Sequence, residues 1–560
     1  MGIRRTTTVF ATTAAMLAGG LAAVAVATPS SAAVLSQVAP TNQGQDPCTK
    51  VPKLKGKKPG QLLASKELPV DPNQLKHARM FRILHTTSGV DEKDVKVSCA
   101  MVVVPKSKKK RTSNVVTWAH GTDGVHQACQ PSNNPVGFLN GIGPISYGSG
   151  ADAVSGKAKN GIIQGLIDQG RLVTATDYYS GLGEPATAMQ SYLLGIPAGA
   201  AVLDSVRAGI SLQNSLAKKS KPSSKWKMAI WGASQGGHAA MWAGQLANDY
   251  LKATKLSKQP KIDTVGIVAA VPASSFVATS KSPADLTGRH LGDLEMHAIS
   301  SLNGINIPIG PFLFSFVTGT WANFPGSGKL AGKAKFPAYD KAGPNPQLDG
   351  LLTQPDQGGG IQVAQGLVAD CPGIPNLAPV LKYADPATNA FFDQPIWGGP
   401  TGPGGTWQGQ LDATCLNSAT PENVKAWCDW LAYNMPGPHG VNPYNKIPRK
   451  ANGKPTNIMI AEGLDDDIVY CNNPNPTVPG PEDCMSRQLY DSLQPACKSA
   501  NVSLNLFAVG PKSPANHFST YKQIANNGKQ QYKGSKMDAF IKGAFKGSLK
   551  KGCQASVVNK

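Results

Sequence analysis

The stretch Trp231-Gly232-Ala233-Ser234-Gln235-Gly236-Gly237-His238-Ala239-Ala240 decides how the rest of the chain is read. Gly232 to Gly236 form its only G-x-S-x-G. The residues before it, Lys227–Trp231, have the β-branched and apolar character of a strand, and Gly237–Leu251 have helical character. A serine on a sharp turn between a strand and a helix is a nucleophile elbow. Flanking glycines remove side chains that would clash in the turn. The helix N-terminus lies beside the hydroxyl and favours developing negative charge. The plainer reading, an exposed serine in a glycine-rich turn, leaves the strand and helix unexplained.

Working outward, Val97–Val104, Asn114–Ala119, Arg171–Thr176, Thr264–Val271, Asn457–Ala461 and Leu504–Val509 also read as strands. Gly161–Gln169 and Ala198–Ala217 read as helices. Strands alternating with helices predict an α/β fold with a mostly parallel sheet covered on both faces. The rhythm stops between Pro272 and Pro455, a Gly/Pro-rich stretch too long for a structureless loop inside a compact domain. The expected organisation is a signal segment at 1–33, a catalytic domain at 34–271 and 456–560, and an inserted lid subdomain at 272–455. The insert's apolar run Ile305–Val317 is too broken by Pro and Gly for a buried strand pair. It is expected to line an acyl-binding cavity over Ser234.

A serine at its ordinary pKa needs a base, and the base an orienting acid. On this fold both follow the serine in chain order. Of the nine histidines, His77, His85, His120 and His126 precede Ser234, while His290, His297 and His439 fall in the insert. His238 lies one turn into the elbow helix and points along it. His517, just past a predicted strand, is the expected base. For the acid, Glu462-Gly463-Leu464-Asp465-Asp466-Asp467 ends a strand in an acidic turn. Asp466 is favoured, Asp465 and Asp467 remain alternatives, and Glu462 reads as structural. The expected oxyanion donors are the Gln235 N–H and one from the loop His120-Gly121-Thr122-Asp123-Gly124. Thr122 and Asp123 are equally placed to supply it.

The 560 residues carry 55 Lys and Arg against 34 Asp and Glu, a net charge of +21. Arg4 and Arg5, an Ala/Leu/Val-rich stretch to Val26 and the small residues Ser31-Ala32-Ala33 read as an export signal. That makes nucleic acid an unexpected partner for the charge. The cations cluster at Lys106–Arg111, Lys218–Lys225, Lys258 with Lys261, and Arg449 with Lys450 and Lys454. Each cluster precedes a strand read as parallel, so all four are expected at the sheet's amino edge, away from the serine. An anionic cell-wall or membrane surface is the partner such a pole fits. The ten cysteines are even in number and contain no C-x-x-C pair, which suits disulfides rather than a metal site. Cys471 and Cys484, flanking one short loop, are the expected pair. Only Cys371, Cys415 and Cys428 lie in the insert, so full oxidation requires a bridge from it to the core. Cys129 is the candidate partner.

These pieces resemble the secretory lipase family of α/β-hydrolases. The resemblance rests on Ala119-His120-Gly121-Thr122 with Cys129-Gln130-Pro131-Ser132, on Val173-Thr174-Ala175-Thr176-Asp177-Tyr178, and on Gly232–Ala239. Gly463–Val469 and Asn516-His517-Phe518-Ser519-Thr520 complete it, all in order between Pro59 and Thr520. It implies a secreted lipase or carboxylesterase for ester or lipid substrates, with an inserted lid domain and no metal; a monomer without cofactor is expected. It also implies a triad of Ser234, Asp466 and His517. Two other functions fit parts of the pattern. One is a depolymerase of polyesters or phenolic esters using the same triad, and the other is an inactive wall-binding protein that keeps the fold.

Overall fold

Val, Ile and Thr crowd a helix but fit a pleated sheet, and they concentrate in the runs that build the core of this chain. The computed structural model describes most of residues 46–558. Outside it lie 1–45, 136–160, 184–189, 218–222, 280–298, 321–414, 473–483, 509–514 and 526–530, with shorter stretches between. The expected signal segment and most of the expected insert therefore lie outside the described residues.

The first half contains β1 (Leu62–Leu68), β2 (Ala78–Ser88), β3 (Val95–Pro105), β4 (Asn114–Ala119), α1 (Ile162–Asp168), β5 (Leu172–Thr176), α2 (Gly195–Leu216), β6 (Lys225–Ala233), α3 (Gln235–Ala253) and β7 (Lys261–Ala270). A hairpin of β8 (Ile299–Leu302) and β9 (Ile305–Pro308) follows, then α4 (Glu422–Asn434). The chain ends with β10 (Asn457–Gly463), β11 (Asp465–Asp466), β12 (Cys471–Asn472), α5 (Met485–Ser492), β13 (Asn501–Phe507), α6 (His517–Ala525), α7 (Lys536–Lys546) and β14 (Gly552–Val558).

Ten strands form one sheet in the order β1-β2-β3-β5-β4-β6-β7-β10-β13-β14. The pairings of β1 with β2, β2 with β3 and β3 with β5 are antiparallel. From β5 to β14 every neighbour is parallel. This is the mostly parallel α/β sheet expected from the sequence. The strands absent from that reading carry polar side chains. β14 is almost wholly exposed, and β2 buries Arg82, His85, Thr86 and Thr87. Burial of Arg82 and Thr86 is tolerated because both side chains find partners. Arg82 Nε donates to Ser132 Oγ at 2.9 Å and Thr86 Oγ1 to Lys58 O at 2.6 Å. Within the run at Ile305, β9 pairs antiparallel with β8.

Two apolar layers cover the sheet. One contains α2, α3 and the end of α4, the other α1, α6 and α7. Helices α2 and α3 approach so closely that a Cβ on Gly195 would stand 2.0 Å from the Trp242 ring. The last residue of α4 locks this contact. Asn434 Oδ1 accepts the Gly195 N–H at 2.9 Å, and its carbonyl accepts Trp242 Nε1 at 2.9 Å. His238 Nε2 lies 2.8 Å from the same carbonyl. Disulfides join Cys48–Cys99, Cys415–Cys428, Cys471–Cys484 and Cys497–Cys553. Cys129 is disulfide-bonded as well.

Because β6, β7, β10 and β14 run in one direction, the cations before them share an edge. Lys225 and Lys261 are register partners. Burial lowers the pKa of Lys450, and the neighbouring charges of Lys454, Lys227 and Lys551 lower it further.

Replacing Asn434 with Ala removes the acceptor of the Gly195 amide in a buried setting. An orphaned buried donor costs about 1–3 kcal/mol. The Asn434→Ala variant is expected to lose that amount in urea unfolding, with the slope against urea unchanged. A loss below ~0.5 kcal/mol would show that water replaces the side chain.

Candidate active site

The end of β6 cannot continue straight. Ser234 adopts φ 58° and ψ −123°, a conformation that costs a non-glycine residue on the order of 1–3 kcal/mol and persists only where its surroundings enforce it. The enforcement is visible on both sides. Ser234 N–H donates to Ala270 O on β7 at 3.0 Å, and Ser234 O accepts the His238 N–H at 3.1 Å. A Cβ on Gly232 would lie 2.2 Å from Gly236 O, and one on Gly236 would lie 2.0 Å from Ala119 O. Glycine is required at both positions. The turn is pressed against the end of β4, with Ser234 only partly covered at its tip. Below it, Trp231 stacks on Trp118 of β4 at 5.4 Å and on Tyr521 of α6 at 5.9 Å. These rings tie the serine strand to the helix that begins with His517.

Asp466 and His517, 51 residues apart, are brought together with Nδ1 and Oδ2 at 2.8 Å. Asp466 Oδ1 accepts the N–H groups of Ile468 and Val469, both at 2.9 Å. With the carboxylate as acceptor, Nδ1 carries the hydrogen and Nε2 is left as the ring's acceptor. Both side chains are buried, the aspartate completely. Neighbouring Asp465 is exposed, and Asp467 lies outside the described residues. The acid turn is held to the histidine loop through backbone. Asp465 N–H donates to Ala515 O at 3.1 Å, and a Cβ on Gly463 would fall 1.8 Å from that same oxygen.

Gln235 is buried, and its Nε2 donates to Gln190 Oε1 at 2.7 Å. Across from it, Thr122 and Asp123 are buried in the loop after β4. The Thr122 hydroxyl is engaged with Tyr192 OH at 2.8 Å. Asp123 lies 3.0 Å from His120 Nδ1; burial pushes its carboxyl upward and the imidazole partly offsets that. His238 takes no part in the Asp466–His517 pair. Burial holds its imidazole near pKa 4, despite the Asn434 carbonyl.

Two motifs in the sequence prove to be buttresses of this loop. Ser132 N–H donates to Asp177 Oδ1 at 2.9 Å and its hydroxyl to Oδ2. Tyr178 OH donates to His120 O at 2.8 Å. One residue read as merely structural, Glu462, is buried in hydrogen-bonding contact with Asp466. Its only sequence signal is a carboxyl at the end of an apolar strand.

With this geometry in place, the chain can be compared with known proteins. The secretory lipase family matches residues 145–285. Lipase A of Moesziomyces aphidis is 28% identical over 240 residues, which is 42% of this chain and 46% of the relative. The match thus spans less than half of that relative's length. Two structures of Candida antarctica lipase A share the fold. The closed state superposes with a TM-score of 0.50 at 17% identity, covering 90% of this chain and 87% of that one. The other gives 0.51 at 16% identity, covering 92% and 89%. The chain is an α/β-hydrolase in architecture, and its likeness to the secretory lipases extends beyond the short motifs.

A methyl at position 463 would force the Ala515 carbonyl, and the histidine loop with it, away from the acid turn. The Gly463→Ala variant is expected to lower kcat on a small soluble ester at least ~10-fold, because misplacement by about 1 Å is enough to disrupt catalytic geometry. Overpacking of this kind also costs about 1–3 kcal/mol of stability. Unchanged kcat with lowered stability would separate the loop contact from the geometry of the pair.

Proposed function

We propose that this chain is an exported carboxylic ester hydrolase that works through an acyl-enzyme on Ser234. The observation that carries the reading is the buried 2.8 Å contact between His517 Nδ1 and Asp466 Oδ2. Both residues follow strands parallel to β6, so they share the sheet's carboxyl edge with the strained serine. The likeness to secretory lipases supports ester substrates, and the disulfides support an oxidising compartment outside the cell.

In this mechanism Ser234 Oγ attacks the ester carbonyl carbon while its proton passes to His517 Nε2. The carbonyl oxygen becomes an oxyanion, stabilised by the Gln235 N–H and by an N–H of Thr122 or Asp123. Collapse breaks the bond to the leaving alkoxide, which takes the proton from His517. Water then repeats the sequence on the acyl-serine and releases the acid. Asp466 keeps the imidazole in the required tautomer and stabilises its protonated form.

We propose that the segment entering after β7 begins a cover over this edge. Support comes from where the segment starts. Ala270 accepts the Ser234 N–H, and Phe276 stacks on His238 of the elbow helix at 5.7 Å. The opposite edge carries the lysine pole, which fits an anionic wall polymer. Nine residues of β6 separate the two edges, about 30 Å at ~3.3 Å per residue. A molecule docked by its lysines keeps its catalytic mouth free.

Ser234→Ala is expected to reduce p-nitrophenyl ester hydrolysis by several orders of magnitude while the protein still folds. A fluorophosphonate probe should label wild type at Ser234 and leave the variant unlabelled. Rates from C2 to C16 esters, with emulsified triglyceride alongside, separate lipase from short-chain esterase or polyester depolymerase. Retention of more than a few per cent of the rate by Ser234→Ala would remove the serine from the mechanism.

Retention on an anionic polymer at low ionic strength should weaken as salt rises, since exposed charges are screened. Changing Lys225, Lys261, Lys454 and Lys551 to Gln should abolish it without altering ester hydrolysis. Retention that survives both salt and these changes would assign the interaction elsewhere.

A further inference from the structure

The acid of the pair has a second carboxyl beside it. Glu462 is the last residue but one of β10, opposite Leu506 in the parallel register with β13. Its side chain and that of Asp466 are both completely buried. The two carboxyl groups are in hydrogen-bonding contact. Among the described residues, Asp466 has only His517 as an ion-pair partner and Glu462 has none. Two carboxylates in contact without a cation cannot both be ionised, so one proton must stay between them.

The other hydrogen bonds indicate where it stays. Asp466 accepts two backbone N–H groups on Oδ1 and faces His517 Nδ1 with Oδ2. Three donors converge on that carboxylate and stabilise its charge. Glu462 Oε1 accepts the Gly463 N–H at 3.0 Å and Oε2 the Ser486 hydroxyl. Among the described residues, the other ionisable groups here are exposed Asp465 on the acid turn and His517 at the start of α6. From α5 comes only the Ser486 hydroxyl, two residues beyond Cys484. That cysteine is bonded to Cys471, which pairs in β-register with Asp466.

We propose that Glu462 is a positioning residue for the catalytic acid: a neutral carboxylic acid that donates its O–H to Asp466 and holds the carboxylate plane toward His517. Ser486 and the Cys471–Cys484 bridge hold Glu462 in turn. Burial and the adjacent Asp466 charge both push the Glu462 carboxyl well above the usual carboxylate range, in keeping with this assignment. The proton stays within the pair during turnover. Ser234 exchanges its proton with His517 alone.

The proposal rests on Asp466 acting as the orienting acid, and the test keeps the two apart. Difference infrared spectra of wild type minus Glu462→Gln should contain the carbonyl stretch of a protonated carboxylic acid at neutral pH. This signal is independent of any esterase activity. Glu462→Ala, which leaves Asp466 one donor short, should lower kcat on p-nitrophenyl acetate about 10- to 100-fold with KM unchanged. Glu462→Gln, which keeps a donor toward Asp466, should recover most of that loss. The downfield His517 Nδ1 proton resonance should weaken in the Ala variant and return in the Gln variant. A carboxylate signal in place of the acid stretch overturns the proposal. So does a Gln variant as impaired as the Ala variant, or an Ala variant with unaltered kcat. A wild type without Ser234-dependent hydrolysis would instead overturn the ester hydrolase reading and leave the infrared result standing.

Discussion

The carbonyl oxygens at the end of β4 press against the glycines on either side of Ser234, and the architecture around the site depends on this approach. With Ala119 O at 2.0 Å from where a Gly236 Cβ would be, the chain turns sharply after Ala233. The serine is then driven into a positive-φ conformation. That strain, on the order of 1–3 kcal/mol, is offset by what the approach secures. β4 and β6 pair in parallel from Asn114 to Ala119, Trp118 stacks on Trp231, and α3 starts beside the β4 loop that holds Thr122 and Asp123. A parallel sheet suits such a site because all its carboxyl ends converge on one edge.

The same device recurs at the acid turn. Gly463 allows Ala515 O to approach β10, so the loop before His517 packs directly on the turn carrying Asp466. Buried polar and aromatic contacts join distant parts of the chain. Asp177 ties β5 to the Ser132 loop, Asn434 ties α4 to the elbow helix, and Tyr521 ties α6 to the elbow strand. Each joins residues far apart in sequence. The amino edge has the opposite character, with lysines gathered at the strand starts. Two edges of one sheet thus separate the Asp466–His517 pair and the strained serine from the surface lysines.

Legibility in the sequence followed the range of the interaction. The interior strands β3 to β7, β10 and β13 are apolar and bounded by turn residues, so their local pattern suffices. Strand β2 was not legible, because its Arg82, His85 and Thr residues look like a surface until the Ser132 and Lys58 partners are known. Strand β14 is polar and exposed, and nothing in its composition separates it from a terminal loop. The pairing of β8 with β9 was obscured by prolines and glycines that argue against a strand.

For the site, the sequence by itself determined the elbow around Ser234, the chain order of serine, acid and base, and the choice of His517 among nine histidines. Those features are set by local turn chemistry and by position relative to strands. Only the tertiary structure decided which acid meets the imidazole. Asp465 and Asp466 are adjacent in an extended β11, where successive side chains face opposite ways. One is exposed and the other buried against His517. The structure alone also brought Glu462 into contact with Asp466, and gave the Asp177 and Tyr178 motifs their task of bracing the β4 loop. Such contacts depend on where loops from separate strands converge, and no spacing along the chain encodes that distance.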